Sequence, residues 1–184
     1  SKGFLLGGGE TVESKSLLRQ KKWYKANKVK LKTQSVVHKI DKDDKTITVN
    51  NGDVVKYDKL VIASGSVPKE LPSSKGIGNA FVLRQPADAN AIRQAANNAD
   101  SVVIIGGGYI GLEVAASLRK KGMEITVIEA GERILARVAS KPLANYLNKL
   151  HQDNGVTVIT NVGVEGINQE SGIFASVTLS DGRV

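Results

Sequence analysis

Cysteine is absent from this 184-residue sequence, proline occurs four times, and aromatic residues make up only 4% of it. Without cysteine the chain can form no disulfide framework, thiolate zinc site, cysteine-ligated iron–sulfur cluster or redox-active dithiol. Any redox chemistry in this stretch must therefore be borrowed from a cofactor. Only two histidines are present, His38 and His151. They have no clustered third ligand, so they read as surface groups and no metal site is expected. No apolar run approaches the roughly 20 residues of a bilayer span, which excludes a transmembrane helix. The chain opens Ser1-Lys2-Gly3-Phe4 without an initiator Met, a signal-peptide core or an Arg-rich transit pattern. It is expected to be a fragment whose start lies upstream.

What is present in excess is positive charge, a formal +8. Residues 1–85 hold 17 Lys and Arg against 8 Asp and Glu, whereas residues 86–184 hold 9 against 10. The asymmetry belongs to one half. A lysine-rich stretch from Lys15 to Lys45 is a candidate surface for nucleic acid or another anionic partner. A solvated face is preferred, because aromatic interleaving stops at Trp23-Tyr24 and no base-reading motif accompanies it.

Hydrophobic periodicity divides the chain further. Residues 10–25 carry apolar positions at helical spacing. From Val29 the period becomes two, through Val29, Leu31 and Thr33, then Val36 to Ile40, then Thr46 to Val49, with turns at Asp43-Asp44 and Asn51-Gly52-Asp53. This predicts a small antiparallel meander. Leu60 to Ala63 reads as a buried strand running into the turn Ser64-Gly65-Ser66-Val67-Pro68, and a Gly/Pro/Ser-rich connector covers 65–79. Pro86 precedes an Ala-rich helix over about 87–98. Ser101 to Ile105 has the continuous apolar character of a central parallel strand. A helix over about 112–121, capped by Gly122, and a strand over 124–129 complete a βαβ unit. A helix over 141–154, a strand over 156–160 and a hairpin over 164–184 follow.

Gly106-Gly107-Gly108-Tyr109-Ile110-Gly111 sits between that strand and that helix. A lone G-x-G-x-x-G is weak, but here it follows a strand, opens a helix and has an acid, Glu129, 23 positions after Gly106. In that context Gly106 permits the tight turn, Gly108 lets the backbone approach a pyrophosphate, and Gly111 lets the helix pack closely. The free N–H groups at the helix start suit phosphate charge. Glu129 at the strand end would hydrogen-bond a ribose hydroxyl and repel a 2′-phosphate, favouring NAD. Arg133 and Arg137 lie shortly beyond and leave NADP open. Glu113, read alone, is an acid complementing the helix dipole.

Leu60-Val61-Ile62-Ala63-Ser64-Gly65-Ser66-Val67-Pro68, Leu83-Arg84 and the run from Val103 to Ala115 together resemble FAD-dependent pyridine-nucleotide oxidoreductases, over nearly the whole chain. The run Glu129 to Val138 is most similar to that of NADH-dependent ferredoxin and rubredoxin reductases and apoptosis-inducing-factor-like flavoproteins. Ser1-Lys2 resembles the end of that family's arginine-proline-proline-leucine-serine-lysine motif. The implied fold is α/β: a doubly wound, Rossmann-like NAD-binding domain over 86–184, and a partial FAD-binding domain with a small antiparallel β-meander over 1–85.

By this resemblance Lys2 matches a lysine beside the flavin, and Glu113 an acid that faces the nicotinamide and can pair with that lysine. These are the two implied catalytic residues. Val37 matches a position whose main chain meets the FAD adenine, and Arg84 an arginine near the flavin nucleotide. Ala63-Ser64-Gly65 stands for the family's alanine-threonine-glycine, with serine keeping the hydroxyl. Gly107, Gly108, Tyr109 and Ile110 match the NAD phosphate loop.

Related branches that reduce disulfides or peroxides carry a redox cysteine near the flavin, in one branch close to the position of Lys2. Lysine there implies direct transfer to an external acceptor. The expected protein is a cytoplasmic enzyme that binds FAD and NADH and passes electrons to a small acidic carrier such as ferredoxin or rubredoxin. A homodimer is compatible with it, and the fragment alone is expected to be inactive. A non-catalytic NAD-sensing or basic nucleic-acid-binding module is the alternative.

Overall fold

A computed structural model describes residues 17–184, which fall into two compact units, 17–66 and 67–184. The expected flavin lysine, Lys2, and the first part of the helical period over 10–25 lie outside the described residues.

The smaller unit carries helix α1 (Lys21–Ala26) and the strands β1 (Val37–Asp41), β2 (Thr46–Val49) and β3 (Val54–Lys56). The strands form an antiparallel sheet in the order β1-β2-β3. Side chains write both turns. The Asp41 carboxylate accepts from the N–H of Asp43 and Asp44 at 3.2 and 3.1 Å. The Asp44 bond and the neighbouring Lys39 ammonium hold that carboxyl below its usual range. At the second turn Asn51 Oδ1 accepts from Asp53 N–H at 3.1 Å, across Gly52 at φ +84°, a left-handed geometry that suits glycine.

Two expectations differ here. The period-two run Val29–Thr33 is no strand, and the third strand of the sheet, on the other edge of β2 from β1, is Val54–Lys56. A hairpin closed by a tight Asn-Gly turn brings its strands together at little loop entropy, so the local partner wins. The second difference is at Leu60–Ala63, which forms no strand, with Val61 and Ile62 exposed at 84% and 70%. A buried parallel strand needs neighbours on both edges, and no described strand pairs with it.

In the larger unit, helix α2 (Pro86–Ala96) begins at a reciprocal cap in which Asp88 Oδ2 accepts from Gln85 N–H at 2.7 Å. Strand β4 (Ser101–Ile105), helix α3 (Tyr109–Arg119), strand β5 (Glu124–Ile128), helix α4 (Lys141–Asp153) and strand β6 (Val156–Ile159) follow. The three strands are parallel in the order β4-β5-β6, with Ser101 opposite Glu124 and Ile125 opposite Val156. A hairpin of β7 (Val164–Glu170) and β8 (Ile173–Leu179) ends the chain.

Strand alternation sorts the core onto two faces. Ile125, Val127 and Val156 pack with Val114, Ala115 and Leu118 of α3, joined by Ile92 and Ala96 of α2. Ile128 packs instead with Val162 and with Val177 and Leu179 of the hairpin, joined by Val103 and Ile159. The layering is helix, parallel sheet, hairpin. Arg119 ties the helix ends to it, its Nε and Nη1 donating to Asn154 O at 2.9 Å and Met123 O at 3.0 Å.

The two compact units divide after Ser66, so the connector over residues 67–85 lies in the larger one. The connector joins the larger unit because it is bonded there. Phe174 N–H donates to Asn79 Oδ1 at 2.7 Å, Gly78 N–H to Gly172 O at 2.9 Å, and Leu83 packs on the α3 core.

Leu118 is 1% exposed at the centre of this core. Leu118→Ala should lower unfolding free energy by about 2–5 kcal/mol, measured by denaturant titration. His151, half-buried at the end of α4, has its imidazole pushed below the ordinary 6.5 by burial. The unfolded chain therefore takes up the proton first as pH falls through 6.5, so stability is full above that value and declines on acidification. Thermal melts from pH 7.5 to 5.5 should show a smaller acid slope in His151→Gln.

Candidate functional site

In parallel α/β sheets, ligands bind beyond the carboxyl ends of the strands, because helix N-termini and strand-end loops converge there. At that edge the structure brings together the glycine loop after β4, Glu129 after β5 and the turn that follows it. Gly106 leaves the strand at φ +109°, a conformation that L side chains rarely adopt, with its N–H on Ile128 O at 2.8 Å. Gly108 caps α3 at φ −83° in open space, since a Cβ built on it meets no atom within 4 Å. Gly111 is the reverse. A Cβ there would overlap the Gly106 carbonyl oxygen and lie 3.2 Å from Ile104 Cγ2. Tyr109 and Ile110 stand exposed on the first turn of α3.

Gly107 is buried and held on both sides. Its N–H donates to Glu129 Oε2 at 2.7 Å, and its carbonyl accepts from Leu135 N–H at 2.9 Å. The other Glu129 oxygen, Oε1, accepts from Gly131 N–H at 2.8 Å. Both oxygens thus accept charge-assisted bonds from backbone, each keeping a lone pair for a hydroxyl. A side chain at Gly107 would meet Ile134 Cγ2 at 2.8 Å, so the loop lies flat against the 129–135 turn.

Leu135 and Ile134 belong to this site although nothing in their residue types marks them. Ile134 and Leu135 are buried with Leu112 and Ala144, and Leu135 adopts φ +54°. Sequence signals for that conformation are Gly and Asn, so a leucine in it goes unnoticed. Arg133 corrects an expectation. It was open as a 2′-phosphate ligand, but its side chain is only 18% exposed and turned inward. Nη1 donates to Ala139 O at 3.1 Å and Nη2 to Ala136 O at 3.0 Å, while Nε lies 3.4 Å from Glu132 Oε1. Arg137 is exposed and remains the basic residue facing solvent on this turn.

Glu113 is exposed on α3, two residues beyond Gly111, and its backbone oxygen accepts from Ser117 Oγ at 2.7 Å. Arg84 is exposed in the same unit, with its N–H on Asp88 Oδ2 at 2.8 Å. Val37, Ala63, Ser64 and Gly65, the residues matched to flavin contacts, belong to the smaller unit. All four are exposed, and Gly65 lies at φ +78°. No cluster of His, Cys, Asp or Glu suited to a metal occurs among the described residues, and none of their helices is long and apolar enough to cross a membrane.

The two outer glycines make opposite predictions. Gly111→Ala should lower stability by about 1–3 kcal/mol, because the overlap is with backbone and cannot rotate away. Gly108→Ala should leave the unfolding midpoint within about 0.5 kcal/mol of the parent. If the loop seats a dinucleotide phosphate, as its glycine pattern predicts, the added methyl should still weaken NADH binding about tenfold or more. Calorimetry and NADH titration of both variants separate the two effects.

Comparison with known proteins gives a consistent answer. CtmF of Castellaniella defragrans, a probable ferredoxin reductase, is 38% identical over 181 residues, covering 97% of this chain and 44% of its own length. Rhodocoxin reductase of Rhodococcus erythropolis is 33% identical over 168 residues, covering 91% of this chain and 39% of its own. The crystal structure of the ferredoxin reductase for the CYP199A2 system of Rhodopseudomonas palustris superposes with a TM-score of 0.91 at 28% identity, over 99% of this chain and 45% of that one. The chain thus spans less than half the length of these relatives. Residues 2–184 match the family described as pyridine nucleotide-disulphide oxidoreductase, and the chain belongs to that family.

Proposed function

We propose that this chain is the central part of an FAD-dependent NADH oxidoreductase that delivers electrons to a small iron–sulfur or rubredoxin-type protein. The observation that carries the reading is the glycine loop: an open Gly108 at the start of α3, beside a carboxylate fixed at the end of β5. Residues 86–184 would form the NADH-binding domain, and residues 1–85 part of the FAD-binding domain. The absence of cysteine and the lysine at position 2 support transfer to an external protein over a thiol relay.

The residues fit both groups. For the dinucleotide, the loop offers helix N–H groups and no side chain at the point of closest approach. For the flavin, the Ala63-Ser64-Gly65 backbone and the Ser64 hydroxyl are accessible on the surface of their unit. Bound FAD would accept the hydride of NADH and release its electrons singly. The protein's own work is then geometric and electrostatic. Gly106 to Gly111 would seat the pyrophosphate, and Glu129 would take the adenosine ribose hydroxyls while repelling a 2′-phosphate. Glu113 would border the nicotinamide and orient Lys2, whose ammonium would stabilise negative charge on the flavin ring. Val37, Ala63, Ser64, Gly65 and Arg84 would hold the FAD nucleotide.

With Arg133 turned inward, the carboxylate at Glu129 dominates the ribose end, so NADH should reduce the flavin at far lower concentration than NADPH. Stopped-flow mixing of the FAD-loaded full-length protein with each nucleotide checks this, and equal concentration dependence would remove Glu129 as the discriminating group. In the same assay Glu113→Ala should slow flavin reduction by about 10-fold or more, the usual scale for losing a positioned charged group. An unchanged rate takes Glu113 out of the mechanism.

The lysines of α1 and the segment after it are exposed, and they suit an acidic carrier. Replacing Lys25, Lys28 and Lys30 by Gln should slow reduction of the carrier, most at low salt. Ferricyanide reduction should be unaffected.

A further inference from the structure

Arg133 is nearly buried, touches no element of the parallel sheet in any hydrogen bond, and spends both terminal nitrogens on the carbonyls of its own turn, Ala136 and Ala139. An exposed arginine is replaceable, but this one closes a loop. The residues it encloses include Leu135, whose carbonyl accepts from Val138 N–H and Ala139 N–H, both at 3.0 Å. Leu135 stands at φ +54°, a conformation that L side chains rarely adopt and that persists only where its surroundings over-determine it. The bonds of Arg133 and the burial of Leu135 supply that determination.

The consequence appears one peptide away. Leu135 N–H donates to Gly107 O at 2.9 Å. No cis peptide occurs among the described residues, and in a planar trans peptide the carbonyl of residue 107 and the N–H of residue 108 point in opposite directions. Fixing Gly107 O toward Leu135 therefore aims the Gly108 N–H the other way, away from Leu135, at a residue that is exposed. Among the described residues that N–H has no hydrogen-bond partner. The preceding N–H, on Gly107, is consumed by Glu129 and is not offered to a ligand.

We propose that Arg133 is a positioning residue for the dinucleotide loop: by clamping the Ala136 and Ala139 carbonyls it holds Leu135 N–H on Gly107 O and so presents the Gly108 N–H to the NADH pyrophosphate. The inference rests on the proposed NADH site and deepens it, assigning the phosphate donor to Gly108 rather than Gly107. Arg133 touches no substrate and acts through the turn. Its loss leaves two carbonyls without their charged donor and frees the Gly107–Gly108 peptide to rotate, a defect confined to phosphate recognition.

The test uses the FAD-loaded full-length protein and three probes: NADH, ADP-ribose and reduced nicotinamide mononucleotide, which lacks the pyrophosphate. Arg133→Met should weaken NADH and ADP-ribose about 10-fold or more. It should leave mononucleotide binding unchanged, and kcat at saturating NADH near the parent value while KM rises. Arg133→Lys, which can reach one carbonyl, should recover part of the loss, and it carries the test alone if Arg133→Met does not fold. Equal weakening of all three probes, in proportion to lost thermal stability, would make Arg133 merely structural and overturn the inference. Unchanged ADP-ribose affinity in the variants would overturn it as well. Failure of the parent protein to bind ADP-ribose would overturn the NADH site together with it.

Discussion

The arrangement at the sheet edge depends on one residue, Gly107, and the two peptide groups that meet at it. The backbone at Gly107 is gripped by a carboxylate on its N–H side and by a backbone N–H on its carbonyl side, and both grips come from the same turn after β5. Everything proposed for the loop follows from this. The grip sets which amide faces solvent, why Gly107 tolerates no side chain, and why Glu129 is held at the strand end instead of swinging freely. A charge-assisted bond to a backbone N–H is about twice as strong as a neutral one, so Glu129 is as much a structural strut as a recognition group. The same side chain that would read the ribose also shapes the loop that would seat the phosphates.

The layers behind this edge supply its rigidity. Gly111 sits against the Gly106 carbonyl, and Ala115 one turn later is wholly buried, so α3 lies as close to β4 as the backbone allows. Alternation along β4, β5 and β6 then sends Ile125 and Val127 to the helices and Ile128 to the β7–β8 hairpin. A site built from strand ends and a helix start in such a sheet inherits its positional precision. The smaller unit, by contrast, buries little: Val49 is its one buried apolar residue among those described, and Val61 and Ile62 lie open. The chain spans under half the length of its relatives.

Much of this was legible in the residues, and the limits have physical causes. The βαβ unit around Gly106–Gly111 was readable because continuous apolar strands, a glycine punctuated turn and an amphipathic helix all agree locally. The meander was readable through Asn51-Gly52, although its third strand came from the near side of that turn's far arm, Val54–Lys56, and not from Val29–Thr33. Leu60–Ala63 read as buried because its composition is that of a central strand, yet burial is a property of neighbours and not of composition. At the site, Gly106, Gly108, Gly111 and Glu129 announce themselves by type and spacing. Leu135 and Arg133 do not. A leucine gives no warning of a positive φ, and an arginine near a glycine loop of this pattern looks like a ligand until its hydrogen bonds show it turned toward its own backbone.

The central claim is that Gly107, held at both its N–H and its carbonyl, presents the Gly108 N–H to the pyrophosphate of NADH. A crystal structure of the FAD-loaded full-length protein with NADH tests it most directly. The account predicts a Gly108 N to pyrophosphate oxygen distance of about 2.9 Å, with Gly107 N–H still on Glu129 and Gly107 O still on Leu135. A pyrophosphate bound by Gly107 N–H, with Glu129 displaced and the Leu135 bond broken, would contradict it.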